Sequence, residues 1–310
     1  MDCDKLGIKR VHPLDQIFRY QYLCVFSSHT HHLHPISHVF HHNSPHHRGQ
    51  PRYVRIVTQT IRNTDPSLTL VLTPGIGRGL TELFLSRPNH TVIAATRDPA
   101  SSSSLSLNSV PTGKDTKLIL VKIDSTSDTD AADAITKIQS AGVDHLDIVI
   151  ANAGIAATYS TAHTIKVGDL RQLFEVNTVG PLKLFEAAYP LLKAAGDKKG
   201  AGTPKFVGVG SNVGSIQDVE LVVPYLSPSY GASKAALNYL VRYAHAENDW
   251  LTAFVINPGF AQTDMGAAAA KHFGLDKAWV TLKDSTEGIV KFVSLFVVVV
   301  VVVVLEERAK

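Results

Sequence analysis

Tyr230 and Lys234 open the apolar run Ala235, Ala236, Leu237, Leu240 and Val241, whose spacing predicts an amphipathic helix. Residues four apart share one helix face, so phenol and ammonium are expected as neighbours. A cation beside a phenol favours the phenolate and lowers its pKa, as a tyrosine that exchanges a proton near neutral pH requires. A half-buried tyrosine followed by a solvated lysine is the plainer reading, and the residues upstream bear on the choice. Gly75-Ile76-Gly77-Arg78-Gly79 follows the apolar run 68–73. Such a turn is either a plain tight turn or a cradle where backbone N–H groups at a helix start meet a pyrophosphate. Arg97 follows the run 91–96, where a site for NAD carries an acid. Its guanidinium suits a ribose 2′-phosphate; the alternative is a surface arginine at a strand end.

These groups need a frame. Short apolar runs at 68–73, 91–96, 117–121, 146–150, 205–209 and 251–256 read as strands buried on both faces. Helical patterns lie between them, among them one long stretch over 167–195 and the run beginning at Tyr230. The alternation predicts an α/β fold, a Rossmann-like doubly wound parallel sheet flanked by helices. It forms a single domain over 67–295 with irregular N- and C-terminal extensions. Ser101–Ser104 reads as a loop or a frayed short helix. Asn152-Ala153-Gly154 falls at the carboxyl end of the fourth strand, where ligands sit in this architecture. Asn177 lies in the long helical pattern, and a satisfied buried amide is its plain reading.

Composition narrows the class. A chain of 310 residues with 45% hydrophobic and 18% charged content suits a soluble globular protein. A net charge of +3 argues for neither nucleic acid nor an anionic membrane. Cys3 and Cys24 both precede the expected domain, so no disulfide framework is expected, and a reducing, cytoplasmic location follows. Residues 1–66 carry ten of the fifteen histidines within the first fifty positions. Their spacing lacks the regular ligand pairs of a structural zinc site, so disorder without a metal site is expected. Residues 53–57 alternate like an extra strand. The tail 296–310 holds the valine octet 297–304, too short to span a bilayer, where about 20 residues are needed. It is expected as a terminal β element or an aggregation-prone segment.

The ordered set Gly75-Ile76-Gly77, Asn152-Ala153-Gly154, Asn177, Ser211, Tyr230-x-x-x-Lys234 and Pro258-Gly259 resembles the short-chain dehydrogenase/reductase family. Within it, the segments 208–214, 230–248 and 257–265 are most similar to fungal norsolorinic acid ketoreductase-like enzymes. The resemblance implies an NADP(H)-dependent oxidoreductase in which Tyr230 is the general acid/base and Ser211 orients a substrate carbonyl. Lys234 lowers the tyrosine's pKa and holds the nicotinamide ribose, and Asn177 holds a water that extends the proton relay. Asn152 and Gly154 shape the cofactor floor, Asp124 reaches the adenine, and Thr263 meets the carboxamide. Ser215 competes with Ser211 for the serine role; alignment of Gly214 with the family's glycine favours Ser211. The implied substrate is a small-molecule ketone, aromatic or polyketide-like. Leu221, Val222, Val223 and Tyr225 are expected to line its pocket, and 263–283 with Met265, Phe273 and Trp279 to form a lid. A homo-oligomer is compatible with this class. The family's first loop, T-G-x-x-x-G-x-G, is shortened here to Thr73-Pro74-Gly75-Ile76-Gly77, with fewer backbone donors. That leaves a second reading, a catalytically silent relative that keeps the scaffold.

Overall fold

Strands and helices alternate from Ser67 onward. β1 (Ser67–Leu72), α1 (Ile76–Leu85), β2 (His90–Thr96), β3 (Lys117–Lys122), α2 (Asp130–Ser140) and β4 (Ile148–Ala151) come first. They are followed by α3 (Val167–Phe174), α4 (Gly180–Lys199), β5 (Lys205–Val209), α5 (Pro228–Glu247), β6 (Thr252–Ile256), α6 (Asp264–His272) and α7 (Leu282–Leu295). This computed structural model describes residues 67–72, 75–156 and 159–295. The expected histidine-rich extension 1–66, its strand at 53–57 and the valine tail 296–310 lie outside the described residues, as do Thr73 and Pro74.

The six strands form one parallel sheet in the order β3-β2-β1-β4-β5-β6. The order reverses between β1 and β4, and ligands of such sheets bind outside the strands' carboxyl ends at that switch point. The doubly apolar strands have a direct cause. Along β4, Ile148 and Ile150 pack with Leu80 and Phe84 of α1 and Ile289 and Val293 of α7. Val149 and Ala151 turn the other way, toward Ile138 of α2, Leu192 of α4 and Leu237 of α5. Alternate side chains therefore enter two cores, one on each face of the sheet.

Some boundaries differ from the expectation for identifiable reasons. The fourth strand starts at Ile148 because the Leu146 N–H donates to the Leu191 carbonyl of α4, 3.0 Å away, instead of to a strand. The long helix over 167–195 is interrupted by a π turn, Glu175–Val179, which contains Asn177. Ser101 caps a single helical turn, Ser102–Leu105, by accepting the Ser104 N–H at 3.2 Å. The expected lid 263–283 contains α6, and its far end is pinned where Gln262 N–H donates to the Val280 carbonyl at 2.8 Å.

Candidate active site

Two glycines bring the turn after β5 against the first turn of α5. A Cβ on Gly214 would stand 2.9 Å from Lys234 Cβ, and one on Gly231 would stand 2.7 Å from the Val213 carbonyl oxygen. No other residue allows that approach without a shift. Ser211 begins the turn with its Oγ accepting the Val213 N–H at 3.3 Å and donating to Asn212 Oδ1 at 3.4 Å, and it lies near enough to the Tyr230 side chain to lower the phenol's pKa. Ser215 faces elsewhere, donating to Asp218 Oδ2 at 2.9 Å. Ser211 is therefore the serine that bears on Tyr230.

Lys234 is 3% exposed, and its Nζ donates to the Val209 carbonyl at 2.8 Å. Burial pulls its pKa down to about 8. Burial also pushes the Tyr230 hydroxyl up to about 12, against the hydrogen bond from Ser211, which lowers it. Desolvation disfavours the charged form of both groups.

Asn177 is fully buried. Its Nδ2 donates to the Ile155 carbonyl at 2.9 Å and to Ser233 Oγ at 3.1 Å, while Oδ1 accepts the Ile155 N–H at 2.8 Å. The amide clamps the chain leaving β4 to α5, so both Nδ2 protons are already used. A water held at this position would have to be met by other atoms, such as the backbone of the π turn, a break that frequently occurs at functional sites. Gly154 lies in the same cluster: a Cβ there would stand 3.2 Å from Asn177 Oδ1 and 3.4 Å from Lys234 Nζ. Asn152 directly follows β4. Ser233 was not singled out from the sequence. It is fully buried and joins the Asn177 amide to the Tyr230 carbonyl, to which its Oγ donates at 2.8 Å. Its position inside the Tyr230–Lys234 spacing was the available signal.

Gly75 caps α1 with φ +63°, no side chain caps the helix, and its first turn, with Ile76 and Gly77, holds no acidic residue. That end suits an anion. The methyl of Thr263 lies 3.6 Å from where a Gly75 Cβ would stand, so the loop after β6 meets the glycine turn. In that loop the Pro258 carbonyl accepts the Ser285 hydroxyl at 2.8 Å, and Gly259 takes φ +76°. Arg97 is exposed just past β2, and its charge reaches Asp124, just past β3. The Asp124 carboxylate is held below its ordinary range, first by the Thr126 N–H and then by the Thr126 hydroxyl, both on Oδ1. The Arg97 end and the Tyr230 end are three strands apart, roughly 14 Å across the sheet. A dinucleotide has that kind of reach, so the residues present fit one. Arg78, quoted only as part of the glycine turn, ties α1 to the segment after β2 through Ser103 O at 3.1 Å and Ser106 Oγ at 2.9 Å.

An apolar cavity of about 460 Å³ lies nearby, lined by Val213, Ile216, Val219, Val222, Val223 and Leu226 among others. Val222 and Val223 line it as expected, whereas Leu221 and Tyr225 are absent from its wall. Pro228, Gly231, Ala232 and Ala235 of α5 form its floor. Helical spacing puts those four opposite Tyr230 and Lys234, so the cavity backs onto that pair without containing it. Among the described residues, no group of acidic, histidine or cysteine side chains could hold a metal ion, and no helix is long and apolar enough to cross a membrane.

A parallel sheet in this order, with a tyrosine beside the serine turn after β5 and a buried lysine one helical turn on, defines a dinucleotide-type oxidoreductase scaffold. The sequence profile of the short chain dehydrogenase family matches residues 72–273. The norsolorinic acid ketoreductase of Dothistroma septosporum is 41% identical over 216 residues, 69% of this chain and 79% of that one. The norsolorinic acid ketoreductase of Emericella nidulans is 42% identical over 216 residues, 69% and 80% of the respective chains. Among solved structures, the NADPH-bound carbonyl reductase from chicken fatty liver superposes with a TM-score of 0.65 at 28% identity, covering 75% of this chain and 88% of that one. The chain belongs to the short-chain dehydrogenase/reductase family, a family of oxidoreductases.

Proposed function

We propose that residues 67–295 catalyse the NADPH-dependent reduction of a ketone to a secondary alcohol. The observation that carries this reading is the buried Lys234 set over the Tyr230 ring, beside the turn that begins at Ser211. A bound nicotinamide supplies the hydride. Tyr230 gives its hydroxyl proton to the oxygen of the forming alcohol. A phenol held at about 12 is fully protonated at neutral pH, while an alkoxide is far more basic, so the direction of proton transfer suits reduction. Ser211 donates to the same oxygen and stabilises its developing charge. Lys234 lies one turn from the phenol, where it can hold the cofactor's ribose, and Asn177 fixes the exit of β4 beneath it.

Gly75, Ile76 and Gly77 hold the pyrophosphate, Asn152, Gly154, Pro258, Gly259 and Thr263 the nicotinamide half, and Asp124 the adenosine half. Arg97 reads the 2′-phosphate, which favours NADPH and hence reduction. The ketoreductase relatives support an apolar, aromatic, polyketide-type ketone. The test is a thermal shift with NADPH followed by a panel of aromatic and aliphatic ketones. A saturable shift of several degrees and ketone-dependent NADPH oxidation are expected. The connection between Leu72 and Ile76 is only three residues long, which favours the silent-relative reading. No shift at millimolar NADPH would establish it.

A further inference from the structure

Three chain segments leave the carboxyl ends of β4, β5 and β6, the edge where Ser211 and Tyr230 sit, and four rings from these segments meet. Tyr159, after β4, stacks on His272 at the end of α6 with centroids 3.6 Å apart and planes 12° apart. Phe273 meets Tyr159 edge-on at 5.2 Å and Tyr225, before α5, at 5.7 Å. The backbone reinforces the junction: the Ser160 N–H donates to the Leu226 carbonyl at 2.7 Å. The cluster is anchored to the reaction centre on two sides. Tyr225 is five residues before Tyr230, and Tyr159 is four after Ile155, which Asn177 clamps.

We propose that Tyr159, Tyr225, His272 and Phe273 form an aromatic latch that selects flat aromatic ketones over aliphatic ones. The proposal rests on the ketoreductase reading and names the residues that set its substrate class. In this proposal a substrate enters between the three segments and parts these rings. A flat aromatic body replaces the ring contacts it breaks with offset-stacked or edge-on contacts of its own, whereas an aliphatic chain offers no ring to restore that geometry. Selectivity then comes from the latch itself, because both ketones present the same carbonyl to Tyr230.

The test compares 2-acetylnaphthalene with 2-dodecanone, which have equal carbon counts, in the full chain with NADPH. The wild type should favour the naphthyl ketone in kcat/KM, and Tyr159→Leu and Phe273→Leu should each shrink that ratio about fivefold or more. Tyr159→Phe keeps the ring and should keep the ratio, and melting curves show whether each variant folds. A second readout does not need turnover. The chain has two tryptophans, and Trp250→Phe leaves Trp279, which meets Phe260 edge-on at 5.3 Å, as the fluorescent reporter. Titration with 2-acetylnaphthalene should quench it, and Tyr159→Leu should weaken that binding about fivefold or more. Binding that depends on Tyr159 without turnover of either ketone keeps the latch and removes the reductase reading. Ratio and affinity unchanged in both folded leucine variants overturn the latch, whether or not the enzyme is active.

Discussion

Lys234 lies over the face of the Tyr230 ring, its Nζ 5.7 Å from the ring centroid, and spends a hydrogen bond on the Val209 carbonyl. The two side chains are thus neighbours through the ring, and each is held toward its neutral form by burial. That arrangement has a stability consequence. The Lys234 pKa is about 8 in the folded chain against an ordinary 10.5. Between those values the unfolded chain binds more protons, so this group's contribution makes stability rise with pH through that window, and below about pH 8 its penalty is complete.

Lys234→Met should therefore stabilise the cofactor-free protein at pH 7. The gain is at most about 3 kcal/mol, offset by about 1 kcal/mol for the lost bond to Val209. Urea melts at pH 7 and pH 10 check it, and the advantage should shrink at the higher pH. A variant less stable than wild type by the same amount at both values would show that Lys234 is not a buried charge under strain.

Tyr230→Phe keeps the ring that Lys234 covers and deletes only the hydroxyl. Ketone reduction should fall by roughly 10² or more, with the NADPH dissociation constant little changed. Near-normal turnover removes Tyr230 from the proton-donor role.

Gly231→Ala tests the turn that carries Ser211. The new methyl would sit 2.7 Å from the Val213 oxygen, so the 211–214 turn must retreat and carry Ser211 away from Tyr230. Turnover should drop at least about tenfold at a stability cost of about 1–3 kcal/mol, with cofactor affinity preserved. Single-turnover rates alongside melting curves distinguish this from general unfolding, and an unchanged rate would sink the packing argument.

Arg97→Glu places an acid where the chain now carries a guanidinium. A 2′-phosphate meets repulsion and a plain 2′-hydroxyl gains an acceptor, so the NADPH-over-NADH preference should fall at least about tenfold, or ~1.4 kcal/mol. Equal weakening of both cofactors in direct titrations would show that Arg97 does not read the phosphate.

The sheet was legible because burial on both faces leaves uninterrupted apolar runs, as at 148–151 and 206–209. Tyr230 and Lys234 were legible because helical spacing alone puts them on one face. The π turn around Asn177 was not, because one extra residue inside an apolar helical stretch leaves its periodicity almost intact. The burial of Lys234 was also beyond reach: the sequence shows a cation near the phenol but not the desolvation that pulls its pKa down. Nor could spacing foretell that Tyr159, Tyr225 and Phe273 meet, since their contacts cross long intervals of chain.

The position of β1 has a consequence for how the chain comes into being. β1 pairs with β2 soon after both are made, but its other edge waits for β4, roughly eighty residues later in the sequence. At translation rates of about 5–20 residues per second, that edge stays open for roughly 4–16 seconds. During that interval the nascent chain presents a β-sheet with an unpaired central strand, the kind of template other strands can join. Production of the protein should therefore be more sensitive to crowding on the polysome and to chaperone supply than the finished, two-faced core would suggest.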